Sequence, residues 1–97
     1  MDIRRNENGR VGKLFIEEDN EVVADIGYMI NDENNYVIDH TTVSKKMSGK
    51  GIGQKLVDAM VNLARENNKK IIPGCEFAKK VFERNKDSYA DVWDKRE

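Results

Sequence analysis

The sequence predicts an α+β domain in which three antiparallel strands precede a helix, a further strand and a second helix, in the order β-β-β-α-β-α. Three observations support this class. Apolar residues alternate strictly from Glu21 to Ile30, as in a half-buried strand. They recur at helical spacing from Gly51 to Asn67, and the short run Lys70-Ile71-Ile72 follows. Because a helical crossover returns the chain in its original direction, we expect this run to lie parallel to the third strand, in an α/β-like three-layer arrangement.

The three strands of the predicted meander are separated by short polar turns. The first strand spans Val11 to Glu17, the second Glu21 to Ile30 and the third Tyr36 to Val43. Short connections favour antiparallel pairing of consecutive strands. Residues 1–9 are polar, show no period and end in an Asn-Gly turn signal. We therefore expect order to begin near Arg10 and the first residues to be flexible.

Alternation along the third strand predicts which of its side chains share a face of the sheet. One set comprises Tyr36, Ile38, His40 and Thr42, and the other comprises Val37, Asp39, Thr41 and Val43. Either face can be the wetter one at the end of the strand.

The second half of the sequence predicts the helices. The apolar stripe of the first helix consists of Ile52, Leu56, Ala59, Met60, Leu63 and Ala64. Pro73-Gly74 ends the short strand, and a second helix is expected from Glu76 to Arg84, with Phe77, Val81 and Phe82 facing inward. The segment from Asp87 to Trp93 is expected to form a short terminal helix that covers the core.

Length and charge limit the classes of function. A chain of 97 residues with 38% hydrophobic residues forms one domain, here residues 1–97. A net charge of −1 argues against nucleic acid or an anionic membrane as a partner. Residues 1–47 carry six Lys and Arg against ten Asp and Glu, whereas residues 48–97 carry eleven against eight. This asymmetry suits an anionic cofactor that meets a cationic acceptor, or it is an ordinary mixed surface.

Compartment is inferred from what the sequence lacks. A single cysteine cannot form an intramolecular disulfide, and no stretch has the length of apolar residues that a membrane span or a signal peptide needs. We therefore expect a cytoplasmic protein.

The chemistry is predicted around the stretch from Met47 to Leu56, where three glycines at alternate positions lead into the first helix. Closely spaced glycines let the backbone turn sharply and expose its N–H groups to a ligand. The unpaired N–H groups and the dipole of the helix N-terminus add to this preference for an anion. The stretch therefore predicts a site for a phosphate or a diphosphate.

Two common phosphate-binding motifs do not fit. A dinucleotide fingerprint needs glycine where this sequence has Gln54, and Gly53 comes one residue early. A P-loop needs Ser or Thr after its lysine, but Lys50 is followed by Gly51.

The stretch instead resembles motif A of the GCN5-related N-acetyltransferases, in which an Arg or Gln precedes Gly-x-Gly-x-Gly/Ala and main-chain amides hold the diphosphate of acetyl-CoA. Val43 matches the valine at the end of the preceding strand, whereas Ser48 departs from the Arg or Gln. The resemblance extends over roughly residues 10–93 and includes Ile71-Ile72-Pro73-Gly74-Cys75 and Tyr89-Ala90-Asp91. The chain thus resembles a small single-domain branch with a cysteine after the last strand, without the N-terminal helices that help to form the acceptor pocket in larger members.

The resemblance implies the cofactor and its binding residues. Acetyl-CoA, or coenzyme A as its product, would be the co-substrate, and no metal is implied. The residues implied in binding the pantetheine arm are Thr41, Thr42 and Val43, and those implied in binding the diphosphate are Ser48, Gly49, Lys50, Gly51, Ile52 and Gly53. Lys50 would add positive charge to the diphosphate site.

Cys75 and His40 are the candidate catalytic residues. Cys75 lies between the parallel strand and a helix N-terminus, which favours a reactive thiolate, and His40 lies near the end of the neighbouring strand. The two side chains are expected to meet, so that Cys75 would take the acetyl group with His40 as base. Direct attack by the amine, with His40 or water as base, is the alternative route. Both residues are otherwise ordinary partly buried side chains, and spacing does not choose among Tyr28, Tyr36 and Tyr89 as the acid that protonates the leaving thiolate.

Three functions fit these observations. The first is an acetyl-CoA-dependent N-acetyltransferase that acts on a small-molecule or peptide amine. The second is a CoA-binding or regulatory module with little or no catalysis, which Ser48 and the missing acceptor elements allow. The third is RNA binding through the Gly-Lys-Gly loop as in KH domains, which the near-neutral charge disfavours. The sequence does not specify the acceptor or the oligomeric state.

Overall fold

The computed structural model describes residues 2–95. Its strands are β1 (Arg4–Asn8), β2 (Val11–Glu18), β3 (Glu21–Ile30), β4 (Tyr36–Val43) and β5 (Ile71–Pro73), and its helices are α1 (Ile52–Glu66) and α2 (Glu76–Arg84). A 3₁₀ turn at Lys45–Met47 precedes the glycine loop. None of the helices described is long and apolar enough to cross a membrane.

The strands form one sheet in the order β1-β2-β3-β4-β5. Consecutive strands from β1 to β4 pair antiparallel, and β5 pairs parallel with β4 after the crossover through α1. The predicted meander, parallel strand and two helices are therefore confirmed, and the fold is of the predicted α+β class. The crossover places the end of β4, the start of α1 and the start of α2 at one edge of the molecule.

The N-terminal segment differs from the prediction. Residues from Arg4 to Asn8 pair along their whole length with β2, between Arg4 and Phe15 at one end and Asn8 and Val11 at the other. All five side chains of β1 are exposed, so the segment has no hydrophobic period that could have revealed it. The expectation of flexibility up to residue 9 is wrong because main-chain hydrogen bonds can add a strand to a sheet edge whatever its side chains are.

The core lies between one face of the sheet and the two helices, and we call this the core face. Its buried residues include Leu14, Ile16, Ile26, Ile38, Leu56, Val57, Met60, Val81 and Phe82. The opposite face, which we call the open face, has no helix over it in the described chain. Exposed apolar side chains such as Val11 and Met29 lie on it. The fold therefore has two layers here, because the helices share a single face.

Two predictions about the C-terminal part of the chain are wrong. The segment from Asp87 to Trp93 forms consecutive turns rather than a helix, although Tyr89 and Val92 are buried as expected. Trp93 instead pairs with Ile71 through an isolated bridge parallel to β5. Phe77 does not face the core: it is 42% exposed.

A bulge in β4 changes which of its side chains share a face. The register pairs Tyr28 with Ile38 but Gly27 with His40, so Asp39 is an extra residue in β4. Beyond the bulge, Thr41 pairs with buried Ile26. Thr41 and Val43 therefore follow Ile38 on the core face, and His40 and Thr42 lie on the open face. The face assignment predicted from strict alternation is wrong for the end of β4 for this reason.

Candidate functional site

The glycine loop leads into an uncapped helix N-terminus. Gly51 is the N-cap of α1 in the left-handed conformation, and no side chain caps the helix. The first turn contains no acidic residue, and the first α1 amide with a helical acceptor is that of Lys55, which donates to the Gly51 carbonyl at 3.2 Å. The N–H groups before it lie in the first turn, where a helix supplies no acceptor. This end of α1 is therefore available to an anion.

The three glycines of the loop serve two different purposes. Gly49 and Gly51 have positive φ values of 80° and 71°, which other residues adopt at a cost, and a Cβ at either would meet no atom within 4 Å. A Cβ at Gly53 would lie 2.6 Å from the ring of Phe77. Gly49 and Gly51 therefore shape the loop, whereas Gly53 lets α2 approach α1.

A groove of about 340 Å³ runs along this loop. Its lining residues are Val43, Met47, Ser48, Gly49, Gly51, Ile52, Gly53, Gln54, Phe77 and Arg84. Five of the loop and helix residues that the sequence predicted do line the groove: Ser48, Gly49, Gly51, Ile52 and Gly53. Lys50 was also predicted, but it does not line the groove. Phe77 and Arg84 were missed as site residues. Their spacing of seven on α2, which places both on one helix face, was the available signal.

The end of β4 and Cys75 continue the site on the core face. The Cys75 Sγ lies 3.6 Å from Thr41 Oγ1, and it accepts a hydrogen bond from the Ala78 N–H at the start of α2. Ser44 N–H donates to Val23 O on β3. Successive N–H groups of a strand point to opposite edges, so the N–H of Val43 points away from β3. On that side of β4, the neighbouring strand β5 has already ended.

His40 lies on the opposite face from Cys75. Its ring covers Gly27, where a Cβ would come within 2.1 Å of the imidazole. His40 Nδ1 lies 2.7 Å from Asp39 Oδ1, and Nε2 lies 3.5 Å from Asp25 Oδ1. The prediction that Cys75 and His40 meet is wrong, because the bulge turns the two side chains to different faces. Thr42 also points to the open face, where it pairs with Asp25.

The open face beside His40 is concave. A cavity of about 620 Å³ is lined by Asn6, Asn8, Val11, Gly12, Lys13, Asp25 and His40. Two of its lining residues belong to β1, the strand that the sequence did not predict. The carboxylates of Asp25 and Asp39 lie on either side of the imidazole. This surface therefore combines a titratable ring, negative charge and room for a small group.

The three tyrosines are each held in structural hydrogen bonds. The Tyr28 hydroxyl donates to Glu7 at 2.7 Å, and burial together with this bond raises the pKa of Tyr28 to about 12. The Tyr36 hydroxyl accepts from Asn67, and burial raises its pKa as well. Burial and a hydrogen bond to Asp58 raise the pKa of Tyr89, which also accepts from Gln54. None of the three rings lines the groove, and each phenol is a weaker acid than an exposed tyrosine.

Metal ligands do not cluster in the described part of the chain. Among residues 2–95, no group of three or more His, Cys, Asp and Glu side chains is arranged to hold a metal ion. The residues that could hold a cofactor are therefore those of the groove, whose main-chain N–H groups and guanidinium suit an anionic one.

Comparisons with known proteins agree on one family. A model of the family described as GCN5-related N-acetyl-transferase matches residues 13–92. The chain is 44% identical to a GCN5-like protein from Staphylococcus aureus whose solution structure covers 99% of this chain and is itself covered to 90%, with a TM-score of 0.76. No curated protein matches the sequence.

More distant structures share the fold over part of their length. A Bacillus anthracis protein described as a streptothricin acetyltransferase, solved with acetyl coenzyme A, is 25% identical, with 66% of this chain and 37% of that chain covered and a TM-score of 0.55. A ribosomal-protein-alanine N-acetyltransferase from Brucella melitensis is 21% identical, with 79% and 62% covered and a TM-score of 0.62. The chain thus spans less than two thirds of each of these larger relatives.

Proposed function

The chain belongs to the GCN5-related N-acetyltransferase family, and from this premise we propose that it transfers the acetyl group of acetyl-CoA to an amine. The observation that carries the proposal is the groove on the core face. It joins an uncapped helix N-terminus, two glycines with positive φ and the free edge of β4 in one continuous surface. The N–H groups of the loop and of the helix N-terminus suit a diphosphate at one end of the groove. The free N–H of the β4 edge suits the carbonyl of a thioester at the other end.

The cofactor is proposed to lie along the groove. Gly49, Gly51, Ile52 and Gly53 would hold the diphosphate through main-chain N–H groups of the loop and the first helical turn. Ser48 lines the groove beside them, but its own N–H donates to the Lys45 carbonyl. The structure of the Bacillus anthracis acetyltransferase contains acetyl coenzyme A, which supports this class of ligand for the shared fold. Lys50, which does not line the groove, is proposed to contribute only long-range attraction.

The thioester is proposed to lie at the gap between β4 and β5. The N–H of Val43 points into this gap, and Thr41 and Cys75 lie beside it. An N–H at that position would hold the carbonyl and stabilise the oxyanion that develops as the amine attacks. In this proposal, a nucleophile from the open face meets, at this gap, a thioester held from the core face.

The acceptor is proposed to approach from the open face. Asp25 and Asp39 would attract a protonated amine, and His40 would take its proton so that the nitrogen lone pair can attack the carbonyl carbon. The attacking nitrogen then loses its extra proton to water. As the tetrahedral intermediate collapses, the carbon–sulfur bond breaks and CoA leaves as its thiolate, which takes up a proton from water. This direct route uses both faces of β4 and needs no covalent intermediate.

Transfer through Cys75 is the second route. The Cys75 sulfur would attack the thioester, CoA would leave as the thiolate, and the acetyl group would then pass to the amine. The Ala78 N–H donates to the Cys75 sulfur and holds it at the start of α2, 3.6 Å from Thr41 Oγ1. His40 is on the other face and cannot deprotonate this thiol, so the geometry favours the direct route.

An NMR titration followed by an activity assay tests the function. Adding acetyl-CoA to the labelled protein should shift the amide signals of residues 48–54 and leave those of the turn at Asp19–Asn20 unchanged. Acetylation of a panel of small amines and peptides should then be detected as released CoA. Binding without transfer would identify a CoA-binding module instead, and unshifted loop signals at saturating acetyl-CoA would rule out both.

A further inference from the structure

Arg84 differs from the other arginines of the described chain in its surroundings. Arg4, Arg5, Arg10 and Arg65 each lie within 4.0 Å of a carboxylate oxygen, at 2.9, 3.0, 3.6 and 2.9 Å. Arg84 has no ion pair among residues 2–95, although Glu83 precedes it directly in the sequence. Arg84 is an exposed residue, and it lines the groove. An unpaired guanidinium in a groove is free to bind an anion from outside the chain.

The groove has no other positive side chain in the described structure. Ser48 is polar and uncharged, its hydroxyl donates to the Lys45 carbonyl at 2.9 Å, and Lys50 is absent from the lining. A diphosphate bound only by main-chain amides would therefore carry charge that no loop side chain neutralises. Arg84 is the cation placed to do so.

The packing of α2 on α1 fixes where Arg84 lies. The Phe77 ring packs directly on Gly53, in the space that a side chain there would fill. Arg84 follows Phe77 by seven residues and thus lies on the same face of α2. The contact between Gly53 and Phe77 therefore sets the distance from the loop to the guanidinium.

We propose that Arg84, at the end of α2, binds the diphosphate of coenzyme A together with the glycine loop, supplying the positive charge that Ser48 does not. The inference rests on the proposed function, because it takes CoA as the ligand of the groove. A guanidinium can donate two parallel hydrogen bonds to one phosphate, so it fixes the orientation of the diphosphate as well as its charge.

Affinities for CoA and for pantetheine, which lacks the phosphates, test the proposal. Arg84→Ala should weaken CoA binding about tenfold at low salt, as expected for the loss of a charge-assisted hydrogen bond, and leave pantetheine binding unchanged. Lys80→Ala is the matched control: it removes the same charge from an exposed position of α2 outside the groove. It should change neither affinity.

A charge relocation gives a second measurement. Ser48→Arg added to Arg84→Ala should restore most of the lost affinity for CoA, because the guanidinium then reaches the diphosphate from the loop. Equal effects of Arg84→Ala and Lys80→Ala on CoA affinity would overturn the inference, as would an equal loss of pantetheine affinity. Absence of CoA binding by the unmodified protein would instead overturn the proposed function, and the inference with it.

Discussion

The two faces of β4 carry different kinds of site, one formed mostly by main-chain groups and the other by side chains. On the core face, the groove is formed mostly by main chain, and its shape depends on Gly49 and Gly51. On the open face, the cavity presents side-chain chemistry, with His40 between two carboxylates. The two sites should therefore respond to different substitutions. A main-chain site tolerates most side-chain changes but not a change of φ, whereas a side-chain site is sensitive even to isosteric replacement.

The largest effect is expected on the open face. His40→Asn keeps a polar group of similar size but removes the base, so kcat/KM should fall about 100-fold or more while the affinity for acetyl-CoA stays unchanged. Steady-state kinetics and calorimetry measure the two quantities. Met29→Ala, which changes an exposed side chain of the same face, should leave both within about twofold of the unmodified protein. A His40→Asn enzyme with full activity would show that water serves as the base.

The next effect is expected on the core face. Gly51→Glu forces a non-glycine residue into φ +71° and places a carboxylate in the diphosphate site, so the Kd for CoA should rise about 100-fold. Gly9→Glu provides a matched control, because Gly9 has φ +65° and similarly open surroundings in the turn between β1 and β2. Both variants should lose comparable stability in urea, but only Gly51→Glu should lose CoA affinity. Equal CoA affinities in the two variants would contradict the assignment of the diphosphate to the glycine loop.

The core-face site was predictable because glycine is itself a main-chain signal. Three glycines before an amphipathic stripe require a turn and an open helix N-terminus wherever the chain goes. The boundaries of β3, β4 and α2 were likewise visible, since each has a period or a breaker at its ends. The open-face site could not be placed in the same way. It depends on the single extra residue Asp39, and no local pattern marks where a strand will bulge.

Two further features that the sequence did not predict, the strand β1 and the position of Arg84, have a common cause. β1 has no apolar period and is held by pairing with β2. Arg84 enters the groove because Phe77 packs on Gly53, which lies 24 positions earlier in the sequence. Both features depend on contacts between distant parts of the chain, and sequence periodicity reports only the local structure.

A smaller effect is expected where β1 meets the core face. The Tyr28 hydroxyl and the Arg5 guanidinium both donate hydrogen bonds to Glu7. These two bonds hold the pKa of Glu7 below its ordinary value of 4.5. A lowered folded-state pKa means that the carboxylate stabilises the fold above the unfolded-state pKa and that this contribution is lost as the pH falls.

Urea unfolding as a function of pH measures this contribution. Between about pH 6 and about pH 3, the unmodified protein should lose more stability than Glu7→Gln does, by roughly 0.5 kcal/mol because solvent screens this exposed carboxylate. Glu18→Gln, at the exposed end of β2, should follow the unmodified protein. Acetyl transfer at neutral pH should be unaffected in Glu7→Gln, which would separate the residues that hold the sheet together from those that act on the substrate. Parallel pH profiles for Glu7→Gln and the unmodified protein would contradict the role of Glu7.

The smallest effect is expected at Cys75, although it lies beside the proposed thioester position. If the direct route operates, Cys75→Ser should retain kcat within about threefold, because the serine hydroxyl can still accept the Ala78 N–H and keep the start of α2 in place. Cys75→Ala removes that acceptor, so it should lower stability by about 1 kcal/mol and leave kcat similar.

Mass spectrometry after incubation with acetyl-CoA should detect no acetylated Cys75. Loss of turnover in both variants, with an acetyl-cysteine trapped in the unmodified protein, would establish the covalent route. The reactive chemistry would then lie on the core face, and the open face would serve only to bind the acceptor.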